Sequence, residues 1–387
     1  MEADASNLMR IRGIRVASLI AALFFLHLFA KPALAGVDPL YRLTSIPMPD
    51  DATWSEAVSI NNRGDVAGGI TWLLKRTAGY TWSKRKGLTL LAPSLYSDST
   101  QANDINERGD VTGWTRNVND EAVASIWLKG QEIRQLGTLG GTSSIGFGLN
   151  NSRTVVGASL PNLYATKYQA TVWADNDSPF NPDAEIVNRS VAHDVNNRGV
   201  VVGDISYLGG TYGFVWSKEY GYYNDRTDYL HDYSRFMAIN DHDWITGVTS
   251  ISRVAHPILA KPSGEVRILE TGSYNAEGLG INNHNTIVGR SWTCCGYDTR
   301  AMVWDEANGI RDLNHLINQD SGWTLTIAYD INDRGQVVGT GTYEGQTRAF
   351  LLTPNPEPST LLMYITGCTL CIVRSSAARR KENPTVH

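Results

Sequence analysis

Apolar and polar residues alternate in short runs along the chain, as in Ala170-Thr171-Val172-Trp173 and Ala301-Met302-Val303-Trp304. A turn such as Lys261-Pro262-Ser263-Gly264 follows, and then another short run, Val266-Arg267-Ile268-Leu269. This pattern predicts strands rather than helices. The runs are ordered by a repeat. An aliphatic residue, Asn, four further residues, a β-branched residue, any residue and Gly recur in seven copies. The asparagines are Asn61, Asn106, Asn150, Asn196, Asn240, Asn282 and Asn332. Seven places later stand Gly68, Gly113, Gly157, Gly203, Gly247, Gly289 and Gly339. The residues before the asparagines are Ile60, Ile105, Leu149, Val195, Ile239, Ile281 and Ile331. Further on, five copies place Trp82, Trp127, Trp173, Trp216 or Trp304 at one landmark position, filled by Ala260 and Leu352 in the other two.

A period in the mid-forties suits one small antiparallel sheet of four strands per copy. Seven such sheets predict an all-β, seven-bladed β-propeller over residues 37–353. Ala57, Ala102, Ala192, Ala238, Ala276 and Ala328 suit a crowded inner strand beside a central channel. The seventh copy ends at Thr353 without a fourth strand, while residues 40–47 form an orphan run before the first copy. The expectation is that this N-terminal strand closes the last blade and hides edges that invite aggregation. Each repeat Asn is expected to cap its own turn, with a left-handed residue three places later. Gly64, Gly109, Gly199 and Gly335 suit that position, and Asp243 and Asn285 tolerate it. Arg153 does not, so the third turn is expected to be shaped differently.

Composition sharpens this. The 387 residues include 36 Gly, 17 Tyr and 11 Trp, as short strands and tight turns require. Apolar residues at 42% and charged residues at 19% mark a globular chain. Net charge is −5, from 34 Lys and Arg against 39 Asp and Glu. Residues 1–35 hold four bases and two acids, and residues 359–387 hold four bases and one acid, leaving 26 bases against 36 acids, or −10, between them. That acidity disfavours binding by phosphate neutralisation, so no nucleic-acid partner is expected. Four Cys exclude a disulfide-stapled miniprotein.

The two ends read as addresses. Arg10, Arg12 and Arg15 precede the apolar run 16–30, and Ala33-Leu34-Ala35 follows. This is the layout of a secretory signal peptide over residues 1–35, cleaved after Ala35 to leave Gly36 first. A retained anchor is the alternative, against which stand the shortness of the run and its Lys31-Pro32 break. At the other end, a Pro-rich stalk at 354–358 contains Pro356, Glu357 and Pro358. An apolar segment at 359–373 follows, and then Arg374, Arg379, Arg380 and Lys381. This order resembles the PEP-CTERM sorting signal. The resemblance implies an exosortase as partner, a transient stop in the inner membrane through the tail, removal of residues 359–387, and an outer-surface or extracellular destination. A plain C-terminal anchor is the alternative. The repeats themselves resemble the HAF family of extracellular bacterial repeat proteins, most closely at Leu136-Gly137-Thr138-Leu139-Gly140-Gly141 with Ser143 and Leu149-Asn150. That resemblance implies an exported repeat protein with no settled catalytic activity.

Candidate chemistry is sparse. Asp104, Asp194 and Asp330 stand two places before a repeat Asn, with a Gly five after each, a spacing shared with calcium loops. Arg108, Arg198 and Arg334 occupy the position where such loops need a further oxygen, and are alternative partners for the acids. His193, His231, His242, His256, His284 and His315 lack the paired spacing of a zinc site and are expected in solvated loops. Adjacent Cys294 and Cys295 would make a strained disulfide, and Cys368 and Cys371 lie in the apolar tail. No nucleophile elbow or phosphate loop occurs. No catalytic residue, cofactor or metal is therefore assigned. Two readings stay open. One is a non-enzymatic surface or matrix protein, linked to exopolysaccharide or biofilm through what the tail resembles. The other is a carbohydrate-active enzyme or lectin using the channel mouth, paired acids such as Asp175/Asp177 and Asp225/Asp228, or the aromatic run at 207–233. Convergent carboxylates at one end of the channel would favour the enzyme.

Overall fold

The computed structural model describes residues 39–355, apart from 74–75, 93–98, 130–132, 175–177, 183–188, 208, 220, 225–232, 273 and 294–297. Ala33, Ala35, Gly36, Pro356, Glu357, Pro358, Arg374, Arg379 and Arg380 lie outside the described residues, as do His231, all four Cys and the acid pairs at 175/177 and 225/228.

Strand β1 (Tyr41–Ser45) precedes the repeats. The first repeat comprises β2 (Ala52–Ile60), β3 (Val66–Trp72), β4 (Thr77–Ser83) and β5 (Gly87–Leu90). The second comprises β6 (Thr100–Ile105), β7 (Val111–Arg116), β8 (Ala122–Trp127) and β9 (Ile133–Gln135). The third has β10 (Ser144–Leu149), β11 (Val155–Ser159) and β12 (Gln169–Trp173). The fourth has β13 (Ser190–Val195), β14 (Val201–Tyr207), β15 (Gly210–Ser217) and β16 (Gly221–Asn224). The fifth has β17 (Ser234–Ile239), β18 (Ile245–Ile251), β19 (Val254–Ala260) and β20 (Val266–Ile268). The sixth has β21 (Asn275–Ile281), β22 (Ile287–Trp292), β23 (Arg300–Asp305) and β24 (Gly309–Asp312). The seventh has β25 (Trp323–Ile331), β26 (Val337–Tyr343) and β27 (Gln346–Pro354). Two short 3-10 turns, Leu313–Leu316 and Gln319–Ser321, are the only helical elements among the described residues.

Within each repeat the strands form an antiparallel meander in chain order, and the first strand ends at the aliphatic residue before its Asn. A parallel bridge from Trp54 of β2 to Thr347 of β27 joins the seventh and first repeats into one eight-stranded sheet. Four strands were expected in each copy. Among the described residues the third copy has three, with one further bridge between Val172 and Phe180. In the seventh copy the outer place is taken by β1, antiparallel to β27 from Tyr41 opposite Pro354 to Ser45 opposite Phe350.

Each repeat buries its apolar residues against its neighbours. Ala67 of the first repeat packs with Ala102, Ile105, Val111 and Trp127 of the second, and Ala124 and Ile126 pack with Leu149, Val155 and Trp173 of the third. Equivalent clusters join every later pair, and a seventh joins Val338, Ala349 and Leu351 to Ile60, Val66 and Trp82 of the first repeat. The landmark residue always sits in the cluster shared with the preceding repeat. That fits the presence of Ala260 and Leu352 in place of Trp: what the seven copies share at this site is a buried apolar contact with the preceding repeat.

The repeat glycine answers to a different constraint. The first strand bulges three residues before its Asn, and beside the bulge a carbonyl lies over the facing strand. A Cβ at Gly113 would lie 1.8 Å from the Gln101 carbonyl oxygen, and the other six repeat glycines face a carbonyl at 1.9–2.0 Å. No side chain fits there.

Candidate functional site

The seven Asn turns converge on a cavity of about 170 Å³ lined from all seven repeats. At Asn61, Oδ1 accepts from the backbone N–H of Arg63 and of Asp65, both at 3.0 Å. The Asn61 N–H donates to the Asp65 carbonyl, and the Gly64 N–H donates to the Asn61 carbonyl. The same bonds recur at each repeat Asn. The residue three places later is left-handed in every copy, with φ between 60° and 83°.

The third turn is therefore not the exception expected. Arg153 adopts φ 66° and makes the full set of turn bonds. Its side chain meets Asp110, a buried acid of the second repeat, at 3.0 Å, which offsets the cost of the left-handed backbone. Burial alone would raise the Asp110 carboxyl, but hydrogen bonds from the Lys129 N–H, Arg153 and Asn106 hold it below the usual range.

Each Asn also does something its spacing did not announce. Its Nδ2 donates to the main-chain carbonyl of the next repeat's Asn, from Asn61 through Asn106, Asn150, Asn196, Asn240 and Asn282 to Asn332, and from Asn332 back to Asn61, at 2.9–3.1 Å. A second circuit runs beside it. The N–H of the following residue donates to a side-chain oxygen of its counterpart in the next repeat, at 2.7–2.9 Å. The counterparts are Asn62, Glu107, Asn151, Asn197, Asp241, Asn283 and Asp333. An acceptor side chain directly after every repeat Asn was the signal for it. A further stitch lies six places before the Asn, where the hydroxyls of Ser55, Thr100, Ser144, Ser190 and Ser234 each accept an N–H from the preceding repeat.

Three acids sit below these circuits. They do not pair with Arg108, Arg198 and Arg334, as the spacing had allowed. Asp104 accepts from Ser59 Oγ at 2.6 Å, from its neighbour Ile105 N–H at 2.7 Å and from Leu149 N–H of the next repeat at 2.7 Å. Asp194 ties Val195 to Ile239 in the same way, and Asp330 ties Ile331 to Ile60. No group of acids, His or Cys arranged to hold a metal occurs among the described residues. Desolvation, reinforced by the charge of the other acids, pushes Asp104 up to about 7, and desolvation pushes Asp194 up to about 6.

At the level five and three places before the asparagines lies a different cluster. Asp204 accepts from His193 at 2.5 Å and from Arg189 and Arg235 at 3.1 Å. His193 is thus an inner-strand hydrogen-bond partner rather than a solvated loop residue, because it faces a buried acid on the adjoining strand. Burial would raise Asp204, but His193, Arg235 and Arg189 hold it down to about 2. Glu56, bonded to Gln101 at 2.8 Å, is pushed up to about 7 by desolvation. His256 lies on β19, whereas His242, His284 and His315 are exposed. In the aromatic run, Trp216 packs edge-on to Phe180 and Tyr222 stacks on Phe214, which spends both between the third and fourth repeats.

These shifts give a prediction. Asp104, Asp194 and Glu56 hold protons more tightly folded than unfolded, so between about pH 4 and pH 7 folding takes up protons and stability falls as pH rises. Asp204 acts in the opposite sense, and its contribution is lost only as pH falls below about 4. The melting temperature is expected to peak near pH 4.5 and decline towards pH 8, with a shallower decline in Asp104→Asn. Melting that rises through that window would overturn the assignment.

A family described as "Protein of unknown function (DUF3466)" matches residues 245–350. No curated protein matches the sequence. Among solved structures, a streptogramin B lyase aligns with a TM-score of 0.52 at 9% identity, covering 81% of this chain and 98% of that one. Virginiamycin B lyase from Staphylococcus aureus, with quinupristin, aligns at 0.53 and 12% identity over 81% and 100%. The β-propeller domain of the trilobed protease from Pyrococcus furiosus aligns at 0.52 and 11% over 79% and 96%. Similarity at this level establishes a propeller-like, all-β fold and nothing of activity. No helix among the described residues is long and apolar enough to cross a membrane.

Proposed function

We propose that the protein is an exported, non-enzymatic surface or extracellular-matrix protein, a binding or structural scaffold whose seven repeats are the blades of a closed β-propeller. The observation that carries the non-enzymatic reading is the saturation of the mouth. Each repeat Asn, each residue after it and each of Asp104, Asp194 and Asp330 is hydrogen-bonded to main-chain groups of its own or a neighbouring repeat. A catalytic acid needs a face turned to substrate. These carboxylates converge, but their oxygens hold strands together. Closure is supported by hydrogen-bond circuits that return to Asn61 and by the apolar cluster joining the seventh repeat to the first. Export rests on the sequence at the two ends, with an exosortase-type enzyme as partner for the tail and extracellular polysaccharide as the surrounding polymer.

The test is mass spectrometry of the protein from a host carrying an exosortase, alongside incubation with polysaccharides. The mature chain is expected to run from Gly36 to about Pro358, and the polymers to keep their length. An intact His387 terminus in the membrane fraction would overturn the processed-surface reading. Saccharide products that disappear in Asp104→Asn would overturn the non-enzymatic one.

A further inference from the structure

Beside the mouth, where the seventh, first and second repeats meet, opens a cleft of about 1010 Å³. Its lining is strongly basic. Arg42 on β1 and Arg334 in the seventh Asn turn stand on one side. The turn from β4 to β5 presents Lys84, Arg85 and Lys86, and the second repeat adds Lys129 beside Arg63 of the first. All seven cations are exposed, and among the described residues of the lining the only acid is Asp65. Arg63 pairs with Asp65 at 3.3 Å, while no ion pair involves the other six among the described residues. Such a concentration is unexpected in a segment whose formal charge is −10. Gathered like charges repel unless something compensates them.

The geometry adds a focus. A Cβ on Gly109 would lie 3.1 Å from Arg63 Nη2 and 3.2 Å from Lys129 Nζ. Two cations from different repeats therefore converge over one bare Cα, a place where a single anionic group can be held between them. Apolar surface lies alongside, with Leu90 45% exposed. The aromatic residues of the lining, Trp82 and Trp127, are only 7% and 6% exposed, being spent in the clusters between repeats. Among its described residues the cleft thus offers charge and aliphatic surface without the stacking platform that single-stranded nucleic acids use.

We propose that this cleft binds an anionic polysaccharide through its uronate or sulfate groups. The choice of a polysaccharide rests on the proposed extracellular role, whereas the charge argument stands without it. The test measures binding of the full chain to polygalacturonate and to dextran sulfate, with fully methyl-esterified polygalacturonate, neutral dextran and oligothymidylate as comparators. At least one anionic polymer is expected to bind about tenfold or more tighter than its neutral analogue, and to weaken steeply as NaCl is raised. The polymer that binds identifies the group, uronate or sulfate. The exposed-turn variant K84E/R85E/K86E is expected to lose about tenfold in affinity with unchanged melting, while K218E/R253E, on the far repeats, binds as the parent does. Failure of both anionic polymers to bind, equal binding of the neutral analogues, full affinity in the cleft variant, or tighter binding of oligothymidylate would each overturn the proposal. An intact tail or polymer cleavage would instead count against the proposed function and leave this binding untouched.

Discussion

Asn106→Ala is expected to lower stability by about 3 kcal/mol, and the melting temperature by roughly 10 °C. Asn106 is 5% exposed. Its Oδ1 accepts from the Arg108 and Asp110 N–H groups at 2.9 and 3.0 Å, and its Nδ2 donates to the Asn150 carbonyl at 3.1 Å. Truncation leaves two donors and one acceptor without these partners. Buried groups lose about 1 kcal/mol or more each in that situation. A capping residue alone, with no bond to the next repeat, would contribute only about 1 kcal/mol. Asn106→Asp separates the two roles, since a carboxylate still accepts both N–H bonds but cannot donate to Asn150. It is expected to fall between the parent and the Ala variant. Melting of the Ala variant within 1 °C of the parent would remove the asparagine circuit from the forces holding the repeats together.

The gap between a cap and a circuit marks where sequence reading stops. The repeat, its strands and the turn role of Asn were legible because each is local: alternation sets strand direction, and an Asn two places from an N–H must meet it. The bond from Asn106 to Asn150 links residues 44 apart and depends on how neighbouring sheets are set side by side. Spacing alone carries no such angle. The same holds for Gly113. A glycine three before a strand's end reads as a flexible point, yet its role comes from the Gln101 carbonyl lying against it beside a bulge. Arg153 failed as a sequence exception for the converse reason. Its intrinsic reluctance to turn left-handed is overridden by Asp110 of another repeat. The basic cleft was hidden because its cations come from five separated stretches of an acidic chain, which no local charge count reveals.

Removing residues 40–47 is expected to leave little soluble folded protein, and any that remains is expected to melt well over 10 °C lower. β1 forms a five-residue ladder along β27, and the Asn355 N–H donates to the Leu40 carbonyl at 2.8 Å beyond it. Ile46 is 1% exposed, packs in the cluster between the seventh and first repeats, and donates its N–H to Ala349 at 3.1 Å. Tyr41 and Leu43 pack on the neighbouring cluster between the sixth and seventh. Burying Ile46 alone contributes about 2–3 kcal/mol, and the partly buried Tyr41 and Leu43 add to it. Against a total stability of about 5–15 kcal/mol, losing these together with a ladder of main-chain bonds is a large fraction. The deletion would also expose the edge of β27 beside Phe350 and Leu351, an apolar edge open to pairing with other chains. Transferring the segment to follow residue 355 through a flexible linker should restore folding, because β27 needs a neighbour on that side and not a particular connection. A deletion variant that stays soluble and melts like the parent would show that the N-terminal strand plays no part in holding the last repeat to the first.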